Sequence, residues 1–313
     1  MAAAIRAAVR KVVTGMRPIT DRQDQREHHR RLLAYSRDYT VAARWGRVHT
    51  AASATLAVVP YAFAVVGVES PPVVGAVAAG YLVLARTVLR GAQRGRQRRA
   101  AVVQEKYDIG LFQIPWNAAI AGATPSEDDV EGSAEAFLGS RLYRRDPTAY
   151  DRWYTVDLAG VPWPADGLLC QRQSAVWSRR DHFAYSRLLY AGFVALVAVS
   201  LVFGVVKDMN LAEYLVLLFL PTAPAALDLV ELAQRHTALA TARQRLEDDI
   251  DEAWTAHESN PADVPVETVR RLQDAAFVLR RDGERVPQYF YKLRRRRAEL
   301  VTKLGTESLR RGA

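Results

Sequence analysis

Residues 188–206 (LLYAGFVALVAVSLVFGVV) carry no charged side chain. At about 1.5 Å per residue, a helix of this length crosses a hydrocarbon core of roughly 30 Å. The four residues KDMN interrupt the run with Lys207 and Asp208, and a second apolar stretch then continues to Leu229. This pattern predicts a transmembrane helical hairpin. A segment in lipid must satisfy its own backbone, and these runs lack the alternation of barrel strands. A weaker hairpin precedes it. Residues 51–68 are uncharged, residues 67–72 (GVESPP) read as a tight turn, and charge does not return on the second leg until Arg86. Ala and Gly dominate this pair, and Ala76, Ala79 and Gly80 would permit close helix contact. Pro60 predicts a kink in the first leg. A buried pair of soluble helices is the alternative for this earlier hairpin.

The polar stretches divide the rest. The expected fold is an all-α membrane protein with two transmembrane hairpins, four spans in total. Residues 1–48 are a cytoplasmic helical segment, 49–90 the first hairpin, 91–186 a mainly helical cytoplasmic insertion, 187–230 the second hairpin, and 231–313 cytoplasmic helices. Residues 1–18 read either as a basic amphipathic helix or as a frayed tail. From residue 19 a polar helix is predicted, capped by Thr20 or Asp21, with Leu32, Leu33, Tyr35, Tyr39 and Ala42 on one side and Trp45 at the interface. Residues 101–117 begin as a helix that ends at Pro115, and Ser126 is placed to cap the next. Residues 165–185 run helically into the third span. Leu232, Leu239, Leu246, Ile250 and Trp254 extend the fourth span as a stripe that breaks at residues 260–265. A further stripe (Val266, Val269, Leu272, Ala276, Leu279) stops at Gly283, and Pro287 opens a last helix.

Charge orients these elements. The formal net charge is +9 over 313 residues, and much of the Arg lies beside the apolar runs. Arg44, Arg47, Arg86, Arg90, Arg94, Arg96, Arg98 and Arg99 flank the open side of the first hairpin. Arg179, Arg180, Arg187, Arg235, Arg243 and Arg245 flank the second. By the positive-inside tendency, both termini and the insertion are cytoplasmic and both turns face outward. Nucleic-acid binding is not needed to explain the basic balance. The single cysteine, Cys170, excludes an internal disulfide framework and suits a reducing compartment. No cleavable targeting segment is expected at the N-terminus, whose apolar residues are broken by Arg and Lys.

Candidate chemistry is sparse. The chain has no P-loop, no G-x-S-x-G, no H-E-x-x-H and no Cys/His metal spacing, so no catalytic site, metal or cofactor is expected. His28 and His29 are adjacent, point to different helix faces and make a poor metal pair. Cys170 reads as a buried packing thiol. Glu105 and Asp108, three apart, share a helix face, where they would bind a cation, act as acid and base, or pair with Arg172 or an Arg of the basic run at 90–99. That run itself suits anionic lipid or, less simply, a phosphorylated ligand. Trp116 and Asn117 after Pro115 suggest an aromatic anchor and a capping amide, or a site that stacks a base and reads its edge. In the fourth span, Pro221 and Pro224 are candidates for a gating kink. Asp228 near its inner end faces a water path or pairs with Arg235 or Arg243.

The order of several short motifs is more specific than any one of them. Gln104-Glu105-Lys106-Tyr107-Asp108 is followed by Pro115-Trp116-Asn117, then by Trp153-Tyr154, by Cys170-Gln171-Arg172-Gln173 with Trp177, and by Leu272-Gln273-Asp274 with Arg280 or Arg281, Val286-Pro287, Tyr289, Phe290 and Tyr291. Together with Gln23, Leu33, Tyr39 and Ala42 before the first span, and Pro221 and Pro224 in the fourth, this series resembles the SMODS-associated four-transmembrane effectors along nearly the whole chain. Ser174 departs from the pattern, which leads us to expect Asn there. The resemblance implies a bacterial anti-phage effector. A partner nucleotidyltransferase would make a cyclic oligonucleotide, and the effector, as a homo-oligomer in the bilayer of the inner membrane, would permeabilise that membrane. A membrane-anchored receptor or scaffold that recruits a cytoplasmic partner without forming a pore is the alternative, and an integral membrane enzyme is a third.

Overall fold

The computed structural model describes residues 18–66, 80–81, 83–259, 264–287 and 290. The basic tail, the turn at Glu69, Ala76 and Ala79, and the expected last helix with Tyr289 and Tyr291 lie outside them. Among the described residues every regular element is helical. A short helix α1 (Ile19–Arg22) leads into α2 (Arg26–Val66), and a π-helical turn (Ala85–Leu89) enters α3 (Arg90–Phe112). Three short helices follow: α4 (Ala118–Ala121), α5 (Glu127–Leu138) and α6 (Arg141–Arg145). The long α7 (Ala165–Val206) turns into α8 (Leu211–Tyr214), a second π-helical turn (Leu215–Phe219), α9 (Leu220–Ser259) and finally α10 (Val266–Asp282).

The buried core draws on all three polar stretches. Leu32, Leu33 and Tyr35 of α2, Tyr107 and Leu111 of α3, Phe137 of α5, Leu168 and Leu169 of α7, Ile250 and Trp254 of α9, and Val269 and Leu272 of α10 form one buried cluster. The apolar stripes expected on each helix therefore meet each other, as amphipathic helices require.

Two helices leave this core and change character. In α7 the N-terminal part buries most of its apolar residues. The distal half exposes them, with Val194 at 62%, Val202 at 62% and Val205 at 81%. Apolar surface presented so continuously is stable only against lipid or another protein. Among the described residues α7 is the one helix long and apolar enough to cross a membrane. Helix α2 behaves similarly past Trp45, itself 38% exposed, and runs through Pro60 without interruption.

Several expectations are corrected here. The described residues do not by themselves yield four spans. Residues 67–79 of the first hairpin lie outside them, and the fourth apolar run is not one regular helix. A π-helical turn at Leu215–Phe219 separates α8 from α9 within that run. Neither Thr20 nor Asp21 caps a long helix. Pro18 precedes the single turn of α1, and α2 starts only at Arg26. Other readings hold: Ser126 accepts from the Asp129 amide at 3.2 Å, α7 is unbroken from Ala165, and α10 stops before Gly283.

Candidate functional site

The motif residues of α3, α7 and α10 converge on a buried polar network. Glu105 and Asp108 lie one turn apart on α3, both side chains about 1% exposed. Arg270 of α10 pairs with Glu105 and donates to Asp274 at 2.8 Å. Arg280, also on α10, pairs with Asp108. Between the two arginines, the Gln273 amide donates to Glu105 at 2.8 Å and to Asp108 at 3.2 Å. The spacing explains this geometry: residues 270, 273 and 280 share one face of α10, set against residues 105 and 108 on one face of α3.

Surrounding residues satisfy what remains. The Tyr154 hydroxyl donates to Asp108 at 2.8 Å. Gln23 clamps the Tyr154 backbone from both sides, accepting from its N–H at 2.8 Å and donating to its carbonyl at 3.1 Å. Gln173 does the same for the neighbouring segment, donating to Trp153 O at 3.2 Å and accepting from Thr155 N at 3.0 Å. Gln171 donates to Val269 O at 3.0 Å and to Gln273 at 3.2 Å. Tyr39 donates to Gln104 at 2.9 Å. The loop after α3 joins in. Arg270 reaches Pro115 O at 3.0 Å, and Asn117 donates to Asp274 at 2.8 Å.

Electrostatics make this a lock. Burial pushes the Glu105 carboxyl up, opposed by the Arg280 and Arg270 guanidiniums. Desolvation disfavours charged Arg280, yet Asp108 and Glu105 outweigh it and hold the pKa above its ordinary value. Burial, then Asp166 and Asp108, raise the Cys170 thiol well above its usual range. The fully buried sulfur therefore stays protonated and packs rather than attacks.

Each sequence-derived partner can now be placed. Glu105 and Asp108 pair with α10, not with Arg172 or the basic run. Arg172 instead donates to Asp251 of α9, with its second contact at 3.2 Å. Packing decided this: α7 turns the Arg172 face towards α9. Asn117 precedes α4 but makes no side-chain cap bond; its amide instead donates to Asp274. Trp116 donates to Gly122 O at 2.8 Å and closes its own loop. Trp177 is buried, its indole N–H without a hydrogen-bond partner among the described residues. Pro221, Pro224 and Asp228 do not join the network. Asp228 lies 3.7 Å from Arg90 at the start of α3, rather than beside Arg235, which goes to Glu284 at 3.0 Å, or Arg243, which donates to Leu279 O at 3.3 Å. Sequence reasoning missed Arg270. It lies one turn before Asp274 of the quoted motif, but nothing local distinguishes it from Arg271.

A helical bundle, locked by buried ion pairs and carrying one long apolar helix out of its core, is the class of fold that the described residues define. The chain belongs to the SMODS-associating 4TM effector domain family, whose model matches residues 17–309. A protein of Bacillus cereus (strain VD146) described as a probable CBASS effector molecule is 24% identical to it over 204 residues, which is 65% of this chain and 66% of that protein, just under two thirds of its length. No solved structure matches.

Proposed function

We propose that this protein is the membrane effector of a bacterial anti-phage system of the CBASS type. In this reading a cyclic oligonucleotide made on infection by a partner nucleotidyltransferase acts on the cytoplasmic bundle. The effector then oligomerises and permeabilises the inner membrane through four spans, with both termini cytoplasmic. Family membership and the similar Bacillus cereus protein support the pathway. The Arg-rich flanks and charge-poor turns support the topology. Four helices from one copy enclose no wide channel, so several copies are required.

One observation carries the mechanism. Helix α7 is a single rod that starts in the core at Ala165, carries Gln171 and Gln173 of the network, and ends at Val206 with the apolar segment. A change in how α10 grips α3 is therefore delivered along α7 without a hinge. The action is physical and not catalytic: arginines neutralise the acidic pair, and the thiol is held protonated. The test is depolarisation in cells that express the effector with its neighbouring nucleotidyltransferase. A potential-sensitive dye should report collapse only when both proteins and the infection signal are present. An intact potential under those conditions overturns the reading and leaves the anchored scaffold.

A further inference from the structure

A second feature lies away from the lock, between α2 and the α5–α6 turn, where a cavity of about 580 Å³ opens to solvent. Its volume falls within the roughly 300–1,000 Å³ range of ligand pockets. Five arginines line it: Arg37, Arg44 and Arg47 of α2, and Arg141 and Arg145 of α6. No carboxylate is among the lining residues. Two acids adjoin the lining arginines in sequence: Asp38, buried and shared by Arg37, Arg96 and Arg99, and Asp146, which accepts from the Thr148 hydroxyl at 3.2 Å. Among the described residues Arg44, Arg47, Arg141 and Arg145 form no ion pair. Val41 and Leu142 supply an apolar wall.

We propose that this cavity binds a phosphorylated polyanion, held by guanidinium forks over an apolar wall. Helical spacing puts residues 37, 44 and 47 on one face of α2, and residues 141 and 145 stand one turn apart on α6. Guanidiniums gathered without acids repel one another, and an anion bridging the two helices removes that repulsion. Arginine suits the role because its planar fork matches phosphate oxygens two at a time. The cavity lies beside Trp45, where α2 leaves the bundle and exposes Val48 at 54%. At that level a phosphate can come from a free phosphodiester in the cytosol or from the headgroup of an anionic lipid. The site draws on the function proposed above only in taking a free anion to be the messenger.

The test uses the full chain in nanodiscs of phosphatidylcholine alone or with phosphatidylglycerol, and inorganic tripolyphosphate as the soluble probe. R44Q/R141Q removes one guanidinium from each wall, while R144Q/R271Q makes the same charge change on exposed arginines outside the cavity. Loss of two charge-assisted contacts should weaken binding about tenfold or more. Tripolyphosphate binding in neutral nanodiscs that falls only in R44Q/R141Q assigns the site to a free anion. No binding there, with phosphatidylglycerol raising thermal stability of the parent and control but not of R44Q/R141Q, assigns it to a headgroup. Equal behaviour of the two double variants in both arms overturns the site. A protein that passes this test and never depolarises cells keeps the site and loses the pore.

Discussion

Asp108 and Arg280 stand 172 residues apart in the chain and form an ion pair inside the bundle. The contact joins α3 to α10, so it closes only when helices far apart in the sequence have packed together. Removing one partner of such a pair strands the other charge in a dry interior. R280M should therefore lower unfolding free energy by about 3–5 kcal/mol. E231Q, which breaks an exposed pair with Arg235, should cost about 1 kcal/mol or less. Denaturant unfolding of the detergent-solubilised protein separates the two. Equal losses would mean that the lock is no stronger than a surface contact.

How much of this was legible follows from where the information lies. Ser126 and Gly283 announced helix ends because capping is local. The apolar residues of α7 announced a span because lipid imposes a length. Glu105 and Asp108 were placed on a common face by their spacing, but spacing does not say which helix will face them. Arg172 and Arg270 are equally eligible on paper, and only packing selects α10. The arginine-lined cavity was illegible for the same reason. Arg44 and Arg47 read as charges flanking the first apolar run until α6 is laid against them.

The pH response should be set by His182 and His236, whose Nδ1 atoms face each other at 2.7 Å between α7 and α9. One donates and the other accepts, so the pair is satisfied only when at least one ring is neutral. Desolvation, with Arg243 adding for His182, depresses the pKa values to about 2 for His182 and about 4 for His236. Unfolded, each would protonate near pH 6.5. The unfolded chain thus binds more protons as pH drops, and stability is lost from about pH 6.5 down towards 4. Asp166, raised by burial to about 6 from 3.8, acts in the opposite sense over that lower range. Melting temperature should fall between pH 7 and 5, and H182N/H236N should flatten the fall. A wild-type profile that rises with acidity would remove the histidines from this role.

Asp228 and Arg90 tie α9 to the start of α3 where the apolar run ends. The pair is partly exposed, so it is worth about 1 kcal/mol at most, enough for a several-fold change in a coupled equilibrium. D228N should reduce dye-reported depolarisation several-fold while the protein still inserts. The reversed pair R90D/D228R should restore most of it. Failure of the reversed pair, with insertion intact, would instead make the Asp228 carboxylate itself part of the conducting path.

The turn between α7 and α8 depends on close approach rather than charge. A Cβ built on Gly204 of α7 would lie 2.9 Å from Tyr214 Cδ2 of α8, and the Tyr214 hydroxyl sits 3.1 Å from Ser200 Oγ. Asn210 and Glu213 cap α8 reciprocally, at 2.9 and 3.0 Å, so the turn cannot slide to make room. Small residues let membrane helices meet at their backbones, and overpacking such a seam costs about 1–3 kcal/mol. G204V should therefore splay the hairpin and abolish depolarisation, whereas the neighbouring exposed V205L should not. Protease access to the outer turn in spheroplasts provides the check: cleavage near Lys207 should quicken in G204V. If both variants depolarise cells like the parent, the packing of α7 on α8 has no part in building the permeating assembly.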